Sequence, residues 1–221
     1  MQQAITPDSP LNVSNTDTTG SLIHIDQHSN LYDDAKQFVK LRFLEEYGAH
    51  INYFLPKMIL SYQQGELNSV VGYSVAEQRE LYLEQYLSEP IETLLSNKTG
   101  HITCRDNIVE VGNLASLSPG AFRRLTLSLI RYFAQQQYQW AVFTAIPSLL
   151  NTFKKLGVET TLLGNAEIAS IHSNKALWGS YYQSSPVVAA INIGHISSGL
   201  CDSSILSRML ARAPLPENGA W

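Results

Sequence analysis

Cysteine is scarce in this chain, with only Cys104 and Cys201 among 221 residues. Two cysteines cannot build a disulfide-stapled scaffold, and neither belongs to a paired Cys/His spacing of the kind that binds zinc. The six histidines are scattered along the chain without metal-ligand spacing. We therefore expect two free thiols in a reducing compartment, and we expect no metal site.

Charge is also low. Charged residues make up 15% of the chain and the formal net charge is -4, whereas an average soluble domain is roughly 25% charged. A protein that binds nucleic acid normally carries a basic excess. The composition therefore argues against a nucleic-acid partner.

Long apolar runs are missing as well. No uninterrupted apolar stretch reaches the roughly 18 to 20 residues that a membrane-spanning helix needs. The first 20 residues, MQQAITPDSPLNVSNTDTTG, have neither the basic segment nor the apolar segment of a signal peptide. The sequence predicts a cytoplasmic protein without a transmembrane segment.

Hydrophobic residues are plentiful, at 44% of the chain, which is enough for the core of one sizeable domain. Residues 1–20 are rich in Thr, Ser, Asn, Asp and Pro, and this composition predicts a flexible arm. We expect the domain to occupy residues 21–196 and a C-terminal amphipathic tail to occupy residues 197–221. The tail carries an apolar stripe of Ile205, Leu206, Met209 and Leu210 at helical spacing, which we expect to dock on its own domain.

The hydrophobic pattern alternates between strand and helix, which predicts a mixed α/β fold with a central sheet flanked by helices. The predicted helices begin near Asp33, Leu81, Gly120 and Ser148, and the second has a break before Pro90. The predicted strands cover residues 21–26, 58–62, 69–75, 108–115, 140–145 and 158–163. Residues 58–75 predict an antiparallel hairpin, and residues 108–163 predict two right-handed βαβ steps on a parallel sheet.

The predicted strand IVEVGNLA, residues 108–115, is unusual because it contains a carboxylate and an amide. A glycine inside a strand often marks a β-bulge. A bulge at Gly112 would turn Asn113 to the same side as Glu110, so that both polar side chains face one cleft. An unpaired buried carboxylate is costly, so Glu110 needs hydrogen-bond partners, a cation or water.

The break after this strand also suggests chemistry. Ser118 can cap the next helix, Pro119 suits its first position, and Gly120 lets a ligand approach the backbone. The free N–H groups of such a helix start attract anions. Arg123 and Arg124 would add positive charge for a pyrophosphate, or they would simply face solvent on the outer side of the helix.

Several stretches together resemble the thermostable hemolysin family, whose acyltransferase-like fold belongs with the GNAT superfamily. They are YLEQYLSEPIE (residues 82–92), IVEVGNLAS (108–116), WAVFTA (140–145), FKKLGV (153–158) and WGSYYQSSPVV (178–188). Glu110-Val111-Gly112-Asn113 is also similar to the start of a strand in acyl-homoserine-lactone synthases, where a carboxylate is the proposed base.

This resemblance implies a GNAT-like fold in which two parallel strands splay apart to hold an acyl thioester. The strands would be residues 108–115 and 140–145, and the pyrophosphate would bind at the helix start that follows the first. Residues of the donor site would then be Leu114, Ser118, Gly120, Ala121, Arg123, Arg124, Phe143 and Thr144. Glu110 and Asn113 would serve catalysis.

The resemblance also implies a departure at Phe153, which stands where many GNAT enzymes have the tyrosine that protonates the leaving thiolate. Phenylalanine cannot donate that proton, so Tyr181 or Tyr182 would do so, or the thiolate would leave unassisted, or there would be no catalysis. Trp178 and Tyr181 could line the substrate pocket or anchor the core. Glu84 could pair with a cation, orient substrate or remain solvated.

The function that the resemblance implies is an N-acyltransferase that moves a fatty acyl group from acyl-CoA or acyl carrier protein to a small amine. Two alternatives stay open: a membrane-active hemolysin, and a catalytically silent module that binds acyl thioesters. The apolar stripe of the tail could also, instead of docking on its own domain, contact a membrane surface or an acyl carrier protein.

Overall fold

The computed structural model describes residues 20–172, 174–198 and 204–219. The predicted arm, apart from its last residue, and Cys201 lie outside these ranges. In the described residues the helices are α1 (Tyr32–Tyr47), α2 (Ile91–Thr99), α3 (Pro119–Gln135), α4 (Pro147–Lys155), α5 (Ile193–Ser197) and α6 (Ser204–Arg212). The strands are β1 (Leu22–Asp26), β2 (Lys57–Gln63), β3 (Glu66–Val75), β4 (Ile108–Ser116), β5 (Trp140–Ala145), β6 (Thr161–Asn165), β7 (Val187–Asn192) and β8 (Glu217–Asn218).

All these strands join one mixed sheet in the order β6-β7-β5-β4-β3-β2-β1-β8. The pairs from β1 to β4 are antiparallel, β4 and β5 are parallel, and β7 runs antiparallel to both of its neighbours. The predicted mixed α/β class and the hairpin are confirmed. Strands β5 and β6 run in the same direction, as two βαβ steps require, but the prediction of a parallel sheet is wrong there, because the buried apolar strand β7 lies between them and runs antiparallel to both.

Side chains on the two faces of the sheet alternate as strand geometry requires. On one face, Val109 and Ala141 pack against Leu125, Leu129 and Phe133 of α3, and we call this the α3 face. Phe133 is 1% exposed, and replacing it with alanine should cost about 3 to 5 kcal/mol of stability.

The opposite face, here the α1 face, carries two helices. Ile91 and Leu95 of α2 pack with Ile108, Trp140 and Val142. Helix α1 covers the other end of the sheet, where its buried residues Ala35 and Val39 join the cluster that contains Ile25, Met58 and Leu60. Glu110 follows Ile108 by two residues in β4, and it therefore points to the α1 face.

Local sequence signals explain where several helices begin and end. Helix α1 ends at Gly48, whose φ of 64° is the left-handed conformation that glycine adopts readily. Helix α3 begins at Pro119 after Ser118, whose side chain accepts the Ala121 N–H. Ser148 was expected to cap the next helix, but α4 begins one residue earlier, at Pro147 after Ile146.

The predicted helix at Leu81 is replaced by a short 3-10 turn, Tyr82–Tyr86, which is followed by the irregular residues 87–90 and then by α2. A 3-10 turn leaves nearby backbone N–H groups free for other acceptors. Two of those groups bind Glu110, so the departure from α-helix has a direct link to the site.

The segment predicted as a C-terminal tail packs on the domain. Leu206 and Leu210 of α6 are buried beside Ile130 and Phe153, whereas Ile205 is 63% exposed. Strand β8 pairs with β1. Within the described ranges, no helix is long and apolar enough to cross a membrane.

Candidate active site

Strands β4 and β5 separate part-way along their length. Their pairing runs from Ile108 with Trp140 to Val111 with Phe143 and ends there. Beyond that point β4 stays with β3 as far as Ser116, and β5 stays with β7 as far as Ala145. The sheet therefore opens into a gap between two parallel strands.

A β-bulge in β4 marks the opening. Gly72 of β3 faces Gly112 and Val70 faces Ala115, so Val71 alone stands opposite two residues. Asn113 carries the left-handed φ of 50°. The bulge was predicted at Gly112, and the structure places its left-handed residue one position later, because asparagine also tolerates this conformation.

The Asn113 side chain is used to hold the loop that follows α1. Its Oδ1 accepts the Leu55 N–H at 2.8 Å and its Nδ2 donates to the Tyr53 carbonyl at 3.0 Å. A Cβ at Gly72 would lie 2.9 Å from this Oδ1, so the contact needs a glycine there. Asn113 thus holds the loop after α1 against the gap, on the α1 face, to which Glu110 also points.

Glu110 is 4% exposed, yet in the part of the chain that the structure describes it has no cation as a hydrogen-bond partner. Its two carboxylate oxygens accept the N–H groups of Tyr82 and Leu83, each at 2.9 Å. Burial raises the pKa of Glu110 to about 7, although these two N–H groups act in the opposite direction. A carboxyl with this pKa exchanges a proton near neutral pH, as a general base requires.

A cavity of about 560 Å³ passes along the gap and is lined from both faces of the sheet. On the α3 face it has an apolar lobe, made by Val71, Val111, Leu125, Leu129, Ile130, Phe133, Ala141 and Ile191. On the α1 face it has a tyrosine lobe, made by Tyr47, Tyr53, Tyr82, Tyr86, Trp178, Tyr181 and Tyr182. Glu110, which points to the α1 face, also lines this cavity.

This geometry can be set beside known proteins. The sequence profile of the family described as thermostable hemolysin matches residues 25–196. The chain belongs to the thermostable hemolysin family. No curated protein matches it at a significant level.

Among solved structures, this hemolysin-family chain is similar to acyl-transferring synthases. The CoA-dependent acyl-homoserine lactone synthase BjaI, solved with MTA, has a TM-score of 0.58 at 14% identity, covering 91% of this chain and 94% of that one. FeeM, an N-acyl amino acid synthase from uncultured soil microbes, has a TM-score of 0.56 at 15% identity, covering 81% and 94%. The acyl-homoserine lactone synthase LasI has a TM-score of 0.52 at 15% identity, covering 79% and 89%. These likenesses show a GNAT-like fold.

The tyrosine lobe of this family member contains a close pair of hydroxyl groups. The Tyr86 and Tyr182 hydroxyl oxygens lie 2.6 Å apart. Burial raises the pKa of Tyr182 to about 12, although the hydrogen bond from Tyr86 lowers it. Tyr181 and Trp178 pack around Tyr182, with ring centroids 5.3 and 5.5 Å from its ring.

Two further polar atoms at the cavity stand without partners. Among the described residues, the buried side-chain atoms that lack a hydrogen bond are Arg42 Nε, Tyr82 Oη and Ser128 Oγ. Arg42 and Tyr82 both line the cavity. Buried polar atoms are nearly always paired in folded proteins, so these two are candidates for contact with a ligand.

The residues around Phe153 are apolar. Its ring lies 5.2 Å from Phe143 and 6.3 Å from Phe122, measured between centroids, and all three line the cavity. Phenylalanine has no hydroxyl, so position 153 itself cannot supply the proton that the GNAT resemblance implies. Tyr181 and Tyr182, the tyrosines predicted as alternative proton donors, line the same cavity.

Most predicted site residues are brought together by the fold, and some are not. The cavity is lined by Glu110, Asn113, Leu114, Ser118, Phe143, Thr144, Trp178, Tyr181 and Tyr182. It is not lined by Glu84, Gly120, Ala121, Arg123 or Arg124. Glu84 was also considered as a partner for a cation, and its carboxylate pairs with Arg105.

The helix start that was predicted to hold phosphate lies at the rim. Ser118 lines the cavity, and its hydroxyl is already used as the cap of α3. Arg124 Nη2 donates to Gln63 at 2.8 Å, and Arg123 Nη2 contacts the sulfur of Met209 at 3.2 Å. Both arginines are exposed, and neither forms an ion pair within the described residues.

Sequence reasoning missed Arg42, Tyr53, Tyr82 and Tyr86 as members of the site. Tyr82 and Tyr86 stand in the stretch YLEQYL, whose two tyrosines four residues apart were a usable signal. Nothing in the sequence near Arg42 or Tyr53 distinguishes them from other residues of a helix and a loop.

Proposed function

We propose that this protein is an N-acyltransferase, which moves a fatty acyl group from a thioester, acyl-CoA or acyl carrier protein, to an amine. The observation that carries the proposal is the buried Glu110 carboxyl beside the gap between β4 and β5. Its pKa of about 7 suits a group that accepts a proton from an amine at neutral pH. The similarity to FeeM, an N-acyl amino acid synthase, and to BjaI, a CoA-dependent acyl-homoserine lactone synthase, supports the same reaction class.

The reaction balances with these groups. The amine nitrogen attacks the thioester carbonyl carbon and gives a proton to Glu110, directly or through water. Backbone groups of Gly112 to Leu114 at the gap polarise the carbonyl oxygen while it carries negative charge. The carbon–sulfur bond then breaks, the amide remains, and the thiolate leaves.

The thiolate needs a proton or a stabilising partner. Tyr182 supplies the proton in this proposal, because it lines the cavity and Tyr86 hydrogen-bonds to its oxygen. Such a bond stabilises the phenolate that Tyr182 becomes after donation. Solvent then returns the proton to Tyr182 between turnovers.

The two lobes of the cavity divide the substrates. The apolar lobe takes the acyl chain, since its walls are aliphatic and aromatic side chains that gain from excluding water. The pantetheine arm leaves the gap past Leu114, Phe143 and Thr144. Its phosphate end reaches the rim at Ser118, where Gly120, Ala121, Arg123 and Arg124 form the start of α3.

The tyrosine lobe takes the amine. Tyr82 Oη of this lobe and Arg42 Nε, also on the cavity wall, have no partner in the described structure, so the amine that fits best carries a second polar group for one or both of them. An amino acid satisfies this requirement, and FeeM is an N-acyl amino acid synthase. Trp178 and Tyr181 form the remaining wall.

The test is an assay of purified protein with acyl-CoA and acyl carrier protein donors and a panel of amines. We expect release of free thiol together with an N-acylated product by mass spectrometry. Glu110→Gln should lower the rate by roughly 10² to 10⁴ fold, whereas Glu66→Gln, at an exposed acid in β3, should leave it unchanged.

The opposite result is also defined. If no donor loses its thiol and none binds, the transferase proposal is wrong. If the pure protein instead releases dye from liposomes without any donor, the lytic activity in the family's description is the better account. Tight thioester binding with zero turnover would favour a silent binding module.

A further inference from the structure

The two amides that hold Glu110 belong to a segment with little regular structure. They lie at the start of the 3-10 turn Tyr82–Tyr86, and Leu81 before this turn is extended. A single turn of this kind is not rigid by itself. Something else must hold the Tyr82 and Leu83 N–H groups within 2.9 Å of the carboxylate.

Glu84, the next residue of the turn, is anchored on both sides. Its Oε2 accepts the Leu81 N–H at 2.8 Å, and its Oε1 accepts the Ile91 N–H at 2.9 Å. Arg105 adds a two-pronged contact, from Nη1 to Oε1 and from Nη2 to Oε2, each 2.7 Å. The Glu84 side chain is only 8% exposed.

Arg105 uses every hydrogen that it can donate. Besides the two bonds to Glu84, its Nε donates to the Ala76 carbonyl at 3.0 Å and its Nη2 to the Arg79 carbonyl at 3.1 Å. Its Nη1 also donates to Glu92 at 2.6 Å. A guanidinium has five N–H groups, and all five are accounted for.

These bonds connect the turn to the strand that bears Glu110. Arg105 lies three residues before β4, while its partners lie before, within and after the 3-10 turn. Burial alone would raise the pKa of Glu84, but the bonds from Arg105, Ile91 and Leu81 outweigh it and keep that pKa below its usual value. Glu84 therefore stays ionised as a fixed acceptor.

We propose that Arg105 and Glu84 are positioning residues, which act on Glu110 by holding the Tyr82 and Leu83 amides against its carboxylate. The inference rests on the proposed role of Glu110 as the base. The other charged and titratable groups around Glu110 are Arg79 on the preceding segment and Tyr53 on the loop after α1. Neither of them bonds to the 3-10 turn in the way that Arg105 does.

Loss of the hydrogen bonds between Arg105 and Glu84, which we call the clamp, has a defined consequence for Glu110. Without the two N–H groups, the carboxylate loses the hydrogen bonds that favour its charged form, and it must hold its proton more tightly. We expect the midpoint of Glu110 titration to rise by about one unit or more in Arg105→Ala. Arg105→Lys keeps the charge but cannot form the paired hydrogen bonds of a guanidinium to Glu84. It should therefore shift the midpoint of Glu110 titration by a smaller amount in the same direction.

The experiment follows the side-chain carboxyl of Glu110 by carbon-13 NMR across pH in the free protein, together with the pH profile of kcat/KM. Arg131→Ala is the matched control, because Arg131 also holds a backbone carbonyl, that of Ala213, but on the α3 face. The control should lower stability without moving the Glu110 midpoint. A folded Arg105→Ala or Arg105→Lys protein with an unmoved midpoint would overturn the proposal.

A measurement on the unaltered protein covers the case in which the variants do not fold. By hydrogen exchange, the amides of Tyr82 and Leu83 should be protected to the same degree as those of Leu81 and Ile91. If the amides of Tyr82 and Leu83 exchange freely while those of Leu81 and Ile91 are protected, the proposed role of the clamp is wrong. A shifted Glu110 midpoint in a protein without transferase activity would instead contradict the proposed function alone.

Discussion

At the scale of single residues, Glu110 links stability and activity to pH in opposite senses. It is an acid whose pKa rises from 4.5 to about 7 on folding, mainly because it is buried. The folded protein therefore binds this proton more tightly than the unfolded chain does. The stabilisation is full below pH 4.5 and is lost as pH rises through 7, by up to about 3 kcal/mol.

Urea unfolding of the wild type and of Glu110→Gln at several pH values tests whether the contribution of Glu110 to stability falls as pH rises. The wild type should lose free energy of unfolding relative to the variant between pH 5 and pH 8. Activity should rise over the same range, because only the ionised carboxylate accepts a proton. A stability difference that is constant with pH would mean that Glu110 titrates at its ordinary value in the folded protein.

Tyr82 offers a test of substrate recognition at one atom. Tyr82→Phe removes a buried hydroxyl that has no partner in the described structure and keeps the ring that stacks on Tyr53 at 4.4 Å between centroids. We expect little change in the free energy of unfolding, and a loss of roughly 10-fold or more in kcat/KM for amines that carry a second polar group. If kcat/KM of the variant equals that of the wild type both for amines with a second polar group and for amines without one, Tyr82 does not recognise the substrate.

At the scale of elements, the bulge in β4 depends on Asn113 in two ways, through its left-handed backbone conformation and through its side-chain hydrogen bonds. Asn113→Ala puts alanine at a left-handed φ, which costs about 1 to 2 kcal/mol, and leaves the Leu55 N–H unpaired, which costs about 1 to 3 kcal/mol more. Asn113→Gly loses the same bonds without the conformational cost. Thermal or urea unfolding should therefore rank the wild type above Asn113→Gly, and Asn113→Gly above Asn113→Ala. The reverse order of the two variants would show that the left-handed φ is not a cost here.

Elements that depend on local signals could be predicted, and those that depend on distant contacts could not. Helix α3 follows from Ser118, Pro119 and the apolar spacing after them, and β5 was predicted with its observed ends. The bulge was predicted from Gly112, but glycine and asparagine both allow the left-handed conformation, so the pattern could not choose between neighbours. The 3-10 turn at Tyr82 was missed because Glu110, 28 residues later in the chain, takes its amide.

At the scale of the whole molecule, the cavity is a product of topology. Tyr86 and Tyr182 are 96 residues apart in sequence, and Arg42 comes from the first helix. Strand β7, which was not predicted, separates β5 from β6 and carries Ile191 into the apolar lobe. Single-sequence reasoning could identify Glu110 and the two strands of the gap, but it had no means of assembling the lobes.

The shape of the apolar lobe predicts a dependence on acyl chain length. Leu129 lines this lobe from α3 and is 9% exposed. In Leu129→Trp the larger ring should shorten the lobe, so kcat/KM for long-chain donors should fall by roughly 10-fold or more while that for short-chain donors is retained. Overpacking should also cost about 1 to 3 kcal/mol of stability, and the short-chain donor serves as the internal control. An equal loss for every chain length would place the acyl chain elsewhere.

The central claim is that the opening between β4 and β5 is the place where an acyl thioester binds. A crystal structure with a non-hydrolysable S-(2-oxoalkyl)-CoA, in which a methylene group separates the sulfur from the carbonyl, tests it most directly. The account predicts that the carbonyl of the analogue lies in the gap beyond Val111 and Phe143 and that its alkyl chain lies in the apolar lobe. It also predicts that Glu110 lies close enough for one water molecule, or one amine nitrogen, to fit between its carboxylate and the carbonyl carbon. An analogue bound at any other surface, with the gap left empty, would contradict it.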